Sequence, residues 1–177
     1  DFQPDPSFPA RLYQFGVKPD NVLVLMRPPA VEALYHRFQN TLFDEALQVL
    51  LKKKDVRVVL LPRSDAQREA YLEKAQTDHA LIVPATPLPG ADLIAASDLV
   101  ISAGGTINRE AAALGVPTAS IYAGKWAAVD EGLVNEGRLH RISSNTDLHE
   151  LTVQKKESLS PRRSRAVIDE VVQFIFE

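Results

Sequence analysis

The amino-acid sequence predicts an α/β fold in which helices cover both faces of a parallel sheet. Short apolar segments alternate with helix-forming segments six times along the chain, which is the pattern of consecutive strand–helix units. The apolar segments, such as residues 21–27 and 56–61, are hydrophobic at nearly every position, as expected of strands buried on both faces. Chains of this kind usually have the strand order 3-2-1-4-5-6, so we expect a three-layer, Rossmann-like domain with six parallel strands.

Local sequence patterns place each element along the chain. Strands are predicted at residues 21–27, 56–61, 80–83, 98–101, 118–122 and 139–142. Helices are predicted at residues 65–76, 91–96, 106–114, 127–136 and 147–156, and from Ser160-Pro161 to the last residues. A helix over residues 31–49 is predicted from one apolar stripe at three- and four-residue spacing, formed by Val31, Leu34, Tyr35, Phe38, Leu42, Ala46 and Val49.

Composition narrows the class of protein. A length of 177 residues with 45% hydrophobic content fits one globular domain with a sizeable core. The net charge of −3 does not favour nucleic acid as a partner. The absence of cysteine excludes disulfides and thiol chemistry, and it fits a cytoplasmic location. No apolar run approaches the roughly 20 residues that span a bilayer, so we expect no transmembrane segment.

The two ends of the sequence differ from its middle. The chain begins Asp1-Phe2-Gln3-Pro4, with neither an initiator methionine nor a signal-peptide pattern, so we expect it to be part of a longer protein. Residues 1–20 are rich in proline and aromatic residues and have no periodicity, which suggests a linker from a missing N-terminal domain. Residues 21–145 then form the Rossmann-like domain, and residues 146–177 form C-terminal helices.

A pair of glycines marks the candidate ligand site. Gly104 and Gly105 follow the fourth predicted strand and precede a helix that begins at Thr106. Glycines let the backbone turn sharply and approach a ligand closely. The free N–H groups and the dipole of the following helix favour an anion. Because the first and fourth strands flank the crevice of this fold, Arg27 at the end of the first strand is a candidate phosphate contact.

Further candidates lie on the same edge of the predicted sheet. Glu110 lies one turn into the helix and tilts back toward its start, where a carboxylate can accept hydrogen bonds from ribose hydroxyls. The Gly124-Lys125-Trp126 loop follows the fifth strand, and Lys125 is placed to contact a phosphate or sugar hydroxyls. Asp130, a helix-start carboxylate, is a weaker candidate for a sugar contact.

Several common signatures are absent from the sequence. There is no Gly-x-Gly-x-x-Gly dinucleotide motif, no phosphate-loop ATPase motif and no Gly-x-Ser-x-Gly hydrolase motif. Asp-x-Asp does not occur and the four histidines have no metal-ligand spacing, so no metal site is predicted. The basic cluster Arg162, Arg163 and Arg165 is expected to be a solvated charge run.

The glycine segment resembles a known group of enzymes. Residues 98–106 (DLVISAGGT) and 109–117 (REAAALGVP) are similar to the donor-binding half of GT-B glycosyltransferases and their relatives. The likeness is closest to a prokaryotic family known as domain of unknown function, number 354. In that family a Gly-Gly-Thr-x-Asn-Arg-Glu-Ala stretch, here with Asn108, recurs with the Gly-Lys-x-x-Ala-Val-Asp of residues 124–130. The similarity covers roughly residues 20 to 142.

The resemblance implies a site for a UDP-sugar. Gly104, Gly105 and Thr106 would contact the diphosphate, and Glu110 would contact the ribose. In the related peptidoglycan N-acetylglucosaminyltransferase, a glycine is followed six positions later by a ribose-binding glutamate, and Gly104 to Glu110 matches that spacing. In the related UDP-N-acetylglucosamine 2-epimerase the glutamate comes one residue sooner. Asn108, Gly124 and Lys125 complete the candidate set as members of the paired motifs.

The sequence therefore suggests the donor-binding domain of a metal-independent GT-B glycosyltransferase-like protein, with a UDP-sugar as substrate and no cofactor. Such enzymes hold the acceptor and the usual catalytic base on an N-terminal domain, so we expect this chain to bind but not to turn over alone. In such folds the last helix commonly crosses onto that domain, which would leave Phe174 and Phe176 partly exposed. Two alternatives remain: half of a UDP-sugar 2-epimerase, or a non-catalytic binding domain of the flavodoxin type.

Overall fold

A computed structural model describes residues 2–30, 41–162 and 165–176 of the chain; side chains of residues 165–168 are excluded. Six strands are present in it: β1 (Val22–Arg27), β2 (Val56–Leu60), β3 (Leu81–Ile82), β4 (Leu99–Ser102), β5 (Thr118–Ser120) and β6 (His140–Arg141). Its helices are α1 (Phe8–Tyr13), α2 (Leu42–Leu51), α3 (Asp65–Thr77), α4 (Gly90–Ala96), α5 (Thr106–Leu114), α6 (Ala128–Asn135), α7 (Asn145–Glu150) and α8 (Arg165–Phe176).

The strands form one parallel sheet in the order β3-β2-β1-β4-β5-β6, which confirms the predicted fold class. Strand order reverses between β1 and β4, and the last residues of these strands, Arg27 and Ser102, lie opposite each other in register. The carboxyl ends of both strands therefore open onto one crevice, where parallel sheets of this type bind ligands.

Alternation along the strands divides the core between the two faces of the sheet. Val24 and Met26 of β1 pack on the face that α2 covers through Phe43 and Leu47. Leu25, between them, packs on the opposite face against residues of α1, α4 and α5. Because both faces are covered, the central strands are apolar at nearly every position, which explains the pattern read from the sequence.

The N-terminal part contains structure that the sequence did not predict. Residues 8–13 form α1, and its Phe8 and Leu12 are buried against the face that holds Leu23 and Leu25. The predicted helix over 31–49 is seen in part, as α2 from Leu42. The predicted positions Val31, Leu34, Tyr35 and Phe38 lie outside the described residues.

The helix predicted over residues 147–156 is confirmed for residues 147–150 and is wrong for residues 151–156. The helix α7 begins earlier, where Ser144 and Asp147 form a reciprocal capping box, and it ends at Glu150. The Asp147 carboxylate accepts hydrogen bonds from the backbone N–H and the hydroxyl of Ser143, and these bonds lower the pKa of Asp147. Residues 151–162 then run without helical structure across the amino-terminal edge of the sheet, and we call them the C-terminal strap.

A buried carboxylate holds the C-terminal strap in place. Asp98, which is 2% exposed, accepts hydrogen bonds from the Leu23 N–H at 2.8 Å and from the Lys155 ammonium at 3.0 Å. The backbone N–H of Lys156 donates to the same carboxylate at 3.2 Å. Burial lowers the pKa of the Lys156 ammonium. These contacts require an extended strap, which is why the helical propensity of residues 151–156 is overridden.

The last helix also begins later than predicted. Residues 160–162 belong to the strap: the Arg162 N–H donates to the Ala113 carbonyl at 2.7 Å, and Arg138 donates to the Ser160 carbonyl at 2.9 Å. Helix α8 is described from Arg165. Arg162 pairs with Glu136 at 2.7 Å, whereas Arg163 and the side chain of Arg165 lie outside the described residues.

Helix α8 presents an apolar surface to solvent. Phe174 is 87% exposed and Phe176 is 84% exposed, which confirms that these rings are not packed in this domain. Val171, Val172 and Ile175 are also exposed. None of the helices in the described part of the chain is long and apolar enough to cross a membrane.

The end of α5 provides a test of the strap. Gly115 and Gly137 both have left-handed backbone, with φ of 75° and 68°. A Cβ at Gly115 would overlap the Ser160 carbonyl, whereas a Cβ at Gly137 would meet nothing within 4 Å. We expect Gly137→Ala to lower the free energy of unfolding by about 1–2 kcal/mol. Gly115→Ala should cost about 1–3 kcal/mol more, because the strap must move.

Urea unfolding of the two variants measures this difference. Equal losses of stability in Gly115→Ala and Gly137→Ala would contradict the strap contact, since both substitutions carry the same backbone strain.

Candidate functional site

The turn between β4 and α5 depends on left-handed backbone. Gly104 and Gly105 have φ of 85° and 98°, a backbone conformation that residues other than glycine rarely adopt. A Cβ at Gly104 would also press against the Tyr122 ring, 3.3 Å from its Cγ. Gly105 is the N-cap of α5 and supplies no side-chain cap. The first N–H groups of α5 are consequently available to an anion.

Two buried side chains support this turn from beneath. The Ser102 hydroxyl lies 2.8 Å from the Asn108 amide oxygen and 3.2 Å from the Gly104 carbonyl, and as a donor it serves one of them at a time. Asn108 is only 1% exposed, and its amide nitrogen has no hydrogen-bond partner among the described residues. The sequence predicted Asn108 as a ligand contact; the structure places it under the glycine turn.

A cavity of about 330 Å³ opens beside the turn, between the start of α5 and the loop after β5. Residues 103–105 and Tyr122 form part of its wall. Its charged lining consists of three cations, Arg63, Arg109 and Lys125, and one carboxylate, Asp130. The excess of positive charge and the helix start make this cavity suited to an anionic ligand.

The structure brings together some of the predicted site residues and not others. Gly104, Gly105 and Lys125 line the cavity. Its described lining does not include Arg27, Thr106, Asn108, Glu110 or Gly124. Thr106 and Glu110 are exposed, and as residues four apart they lie on one side of α5.

Arg27 and Arg63 occupy neighbouring strand ends. Arg27 is partly buried, and its Nε atom is buried without a hydrogen-bond partner in the described part of the chain. Arg63 follows β2, donates from Nε to the Pro28 carbonyl at 2.7 Å, and reaches the glycine turn. Its Nη2 atom would lie 3.9 Å from a Cβ at Gly105. Sequence reasoning missed Arg63, although its position directly after an apolar strand was a usable signal.

Arg109 and Asp130 form a bidentate ion pair that joins α5 to α6. The Arg109 Nε atom is 2.8 Å from Asp130 Oδ1, and its Nη2 atom is 2.9 Å from Oδ2. The side chain of Asp130 is 16% exposed and that of Arg109 is 39% exposed. Hydrogen bonding to Asp130 raises the pKa of the Arg109 guanidinium.

Gly124 has a packing role in the loop after β5. A Cβ at this position would overlap the hydroxyl of Tyr122, a residue that forms part of the cavity wall. The Trp126 indole N–H donates to the Tyr122 carbonyl at 3.2 Å, and the Arg141 guanidinium lies 4.1 Å from the Trp126 ring centre. These contacts fix the side of the cavity that carries Lys125.

The described residues contain no group of three or more His, Cys, Asp or Glu side chains that could hold a metal ion.

Comparison with known proteins finds a matching family and a relative of similar sequence. A family model described as "Protein of unknown function (DUF354)" matches residues 12–177. "Uncharacterized protein MJ0665" of Methanocaldococcus jannaschii is 31% identical over 166 residues, which cover 94% of this chain and 46% of that protein. The chain thus spans about half the length of this relative.

Solved structures share the fold. The UDP-GlcNAc 2-epimerase of M. jannaschii, in complex with UDP-GlcNAc and UDP, superposes with a TM-score of 0.66 at 14% identity, over 97% of this chain and 49% of the epimerase. The Escherichia coli ADP-heptose lipopolysaccharide heptosyltransferase II gives a TM-score of 0.59 at 18% identity, over 86% and 49% of the two chains. These superpositions confirm the Rossmann-like fold that the sequence predicts for this chain.

Glycine substitutions test the loop that carries Lys125. Gly124→Ala should displace the Tyr122 ring and lower the free energy of unfolding by about 1–3 kcal/mol. Gly132→Ala is the matched control, because its Cβ meets nothing within 4 Å and alanine favours the helix by about 1 kcal/mol. Thermal unfolding and near-ultraviolet circular dichroism report both effects. Unchanged stability and spectrum in Gly124→Ala would contradict the packing role.

Proposed function

The chain belongs to the DUF354 family, and from that premise we propose that it binds a nucleotide-sugar at the carboxyl edge of its sheet. It would serve as the donor-binding domain of a metal-independent GT-B glycosyltransferase-like protein. One observation carries this proposal: the cavity beside the glycine turn combines an uncapped helix start with the cations Arg63 and Lys125. The structures that share the fold include an epimerase in complex with UDP-GlcNAc and UDP.

A diphosphate is the chemical group that suits this cavity best. Backbone N–H groups at Gly105 and Thr106 would donate to phosphate oxygens, as helix starts commonly do. Arg63 and Lys125 would supply positive charge from the two opposite sides. Such fixed donors stabilise the charge that develops on a leaving diphosphate during sugar transfer. Arg27, at the neighbouring strand end, has a buried Nε–H group without a partner among the described residues, and this group would donate to the same ligand.

The remaining candidates divide into ligand contacts and supports. Glu110, exposed on α5 one turn after the glycines, would accept hydrogen bonds from the ribose. Thr106 lies on the same side of the helix and would contact the phosphate nearest the ribose. Asn108 would support the glycine turn, because it contacts the Ser102 hydroxyl that also lies near the Gly104 carbonyl. Gly124 would support the cavity wall by leaving room for the Tyr122 ring.

Turnover would require a second domain. The chain spans about half the length of its relatives, and GT-B enzymes divide donor and acceptor sites between two domains. The exposed apolar residues of α8, above all Phe174 and Phe176, are a surface that such a domain would cover. This chain alone would bind the donor without transferring the sugar.

A UDP-sugar 2-epimerase is the second candidate, favoured by the superposition on the M. jannaschii epimerase. The six-residue spacing from Gly104 to Glu110 differs from the epimerase spacing and favours the transferase. Either activity would use the same donor site, and acid or base residues of the other domain would decide between them.

Replacing the Glu110 carboxylate tests the ribose contact. Glu110→Gln should weaken UDP binding by about 1–3 kcal/mol, because a charged hydrogen-bond partner is lost. Glu73→Gln is the charge-matched control, since Glu73 is exposed on α3, outside the cavity lining. Titration calorimetry with UDP measures both affinities. Equal binding by Glu110→Gln and the wild type would contradict the ribose contact, whereas no UDP binding by the wild type would contradict the proposed function.

A further inference from the structure

The ion pair between Arg109 and Asp130 lies in the cavity wall beside the glycine turn. We propose that this pair contacts the sugar of the bound nucleotide-sugar and favours an uncharged, hydroxyl-bearing sugar over a uronic acid. The inference rests on the proposed function and concerns the class of substrate that the site accepts.

The position of the pair on α5 assigns it to the sugar. Arg109 and Glu110 are successive residues, so their side chains project about 100° apart around the helix. Arg109 lines the cavity, and Glu110 is not among its described lining residues. With the ribose at Glu110 and the diphosphate at the glycine turn, the group that follows the diphosphate enters the cavity on the Arg109 side. In a nucleotide-sugar that group is the sugar.

The pair presents both donors and acceptors to this group. Arg109 uses Nε and Nη2 to hold Asp130, and within the described residues its other N–H groups have no further hydrogen-bond partner. Each Asp130 oxygen accepts one hydrogen bond from Arg109 and has capacity for another. A sugar hydroxyl both donates and accepts hydrogen bonds, so two neighbouring hydroxyls can bind to the Arg109–Asp130 pair at once.

The charges in the cavity disfavour an acidic sugar at the ion pair. The described lining carries three positive charges and one negative charge, and the negative charge of Asp130 is paired with Arg109. In the proposed site Arg63 and Lys125 lie beside the diphosphate, whose diester form carries two negative charges. A uronic acid would add a third negative charge beside the Asp130 carboxylate, where like charges repel and the guanidinium is already paired.

Two ligands that differ only at carbon 6 of the sugar test the proposal. Titration calorimetry of the 177-residue chain should give at least tenfold tighter binding of UDP-glucose than of UDP-glucuronate. In Asp130→Asn the repulsion is removed and Arg109 is released, so that preference should fall to threefold or less. UDP should bind Asp130→Asn at least as tightly as the wild type, because the diphosphate contacts are retained and a negative charge is removed from the cavity.

Matched variants separate this role from a merely structural one. Glu131→Gln is the control: Glu131 also lies on α6 and pairs with Arg141 at 3.1 Å, but it is outside the cavity lining. It should keep the tenfold preference. Arg109→Lys keeps the charge without the bidentate geometry, and it should reduce the preference with UDP affinity retained.

Each outcome decides between the possibilities. If the wild type binds UDP-glucose and UDP-glucuronate with affinities within threefold of each other, the inference is overturned. Binding of UDP in the same experiment would leave the proposed function standing. An unchanged tenfold preference in folded Asp130→Asn would overturn the role of the pair. Failure of the wild type to bind UDP or either sugar nucleotide would overturn the proposed function itself, and this inference with it.

Discussion

The left-handed backbone at Gly104 and Gly105 is the constraint on which the candidate site depends. These residues end the central strand β4 and start α5 within one turn, while the Tyr122 ring lies against the position where a Cβ would project. The carbonyl of Gly104 lies within hydrogen-bond reach of Ser102, whose hydroxyl also contacts the buried amide of Asn108. The start of α5 is thus held from below and from the side, and Gly104 and Gly105 line the cavity together with Arg63 and Lys125.

The opposite end of the same strand serves stability. Asp98, the residue before β4, joins the start of β1 to Lys155 and Lys156 of the C-terminal strap. The strap then passes the left-handed Gly115 at the end of α5 and leads to α8. Buried ionic contacts therefore lie at the amino edge of the sheet, and the candidate ligand contacts lie at its carboxyl edge.

The fold could be predicted because it follows from local patterns, whereas parts of the site and tail depend on tertiary contacts. Apolar runs such as residues 22–26 and 99–101 report burial on both faces, and alternation with helices then limits the topology. The roles of Arg63 and Arg109 arise from the Pro28 carbonyl and Asp130, which are distant in sequence. The position of Arg63 after an apolar strand was a local signal, whereas Arg109 gave none of that kind. The second half of the helix predicted over 147–156 is absent for a similar reason: Asp98 lies far away along the chain and requires an extended strap.

Nuclear magnetic resonance of the isotopically labelled chain titrated with UDP can locate the nucleotide, because it reports on each backbone amide. We expect the amide signals of Gly104, Gly105 and Thr106 to move most, with smaller changes at Lys125 in the loop after β5. The amides of Asp98 and Lys156, at the other edge of the sheet, should keep their positions. Signals at the glycine turn that stay unchanged at saturating UDP, or changes confined to the strap, would contradict a nucleotide-sugar site at the start of α5.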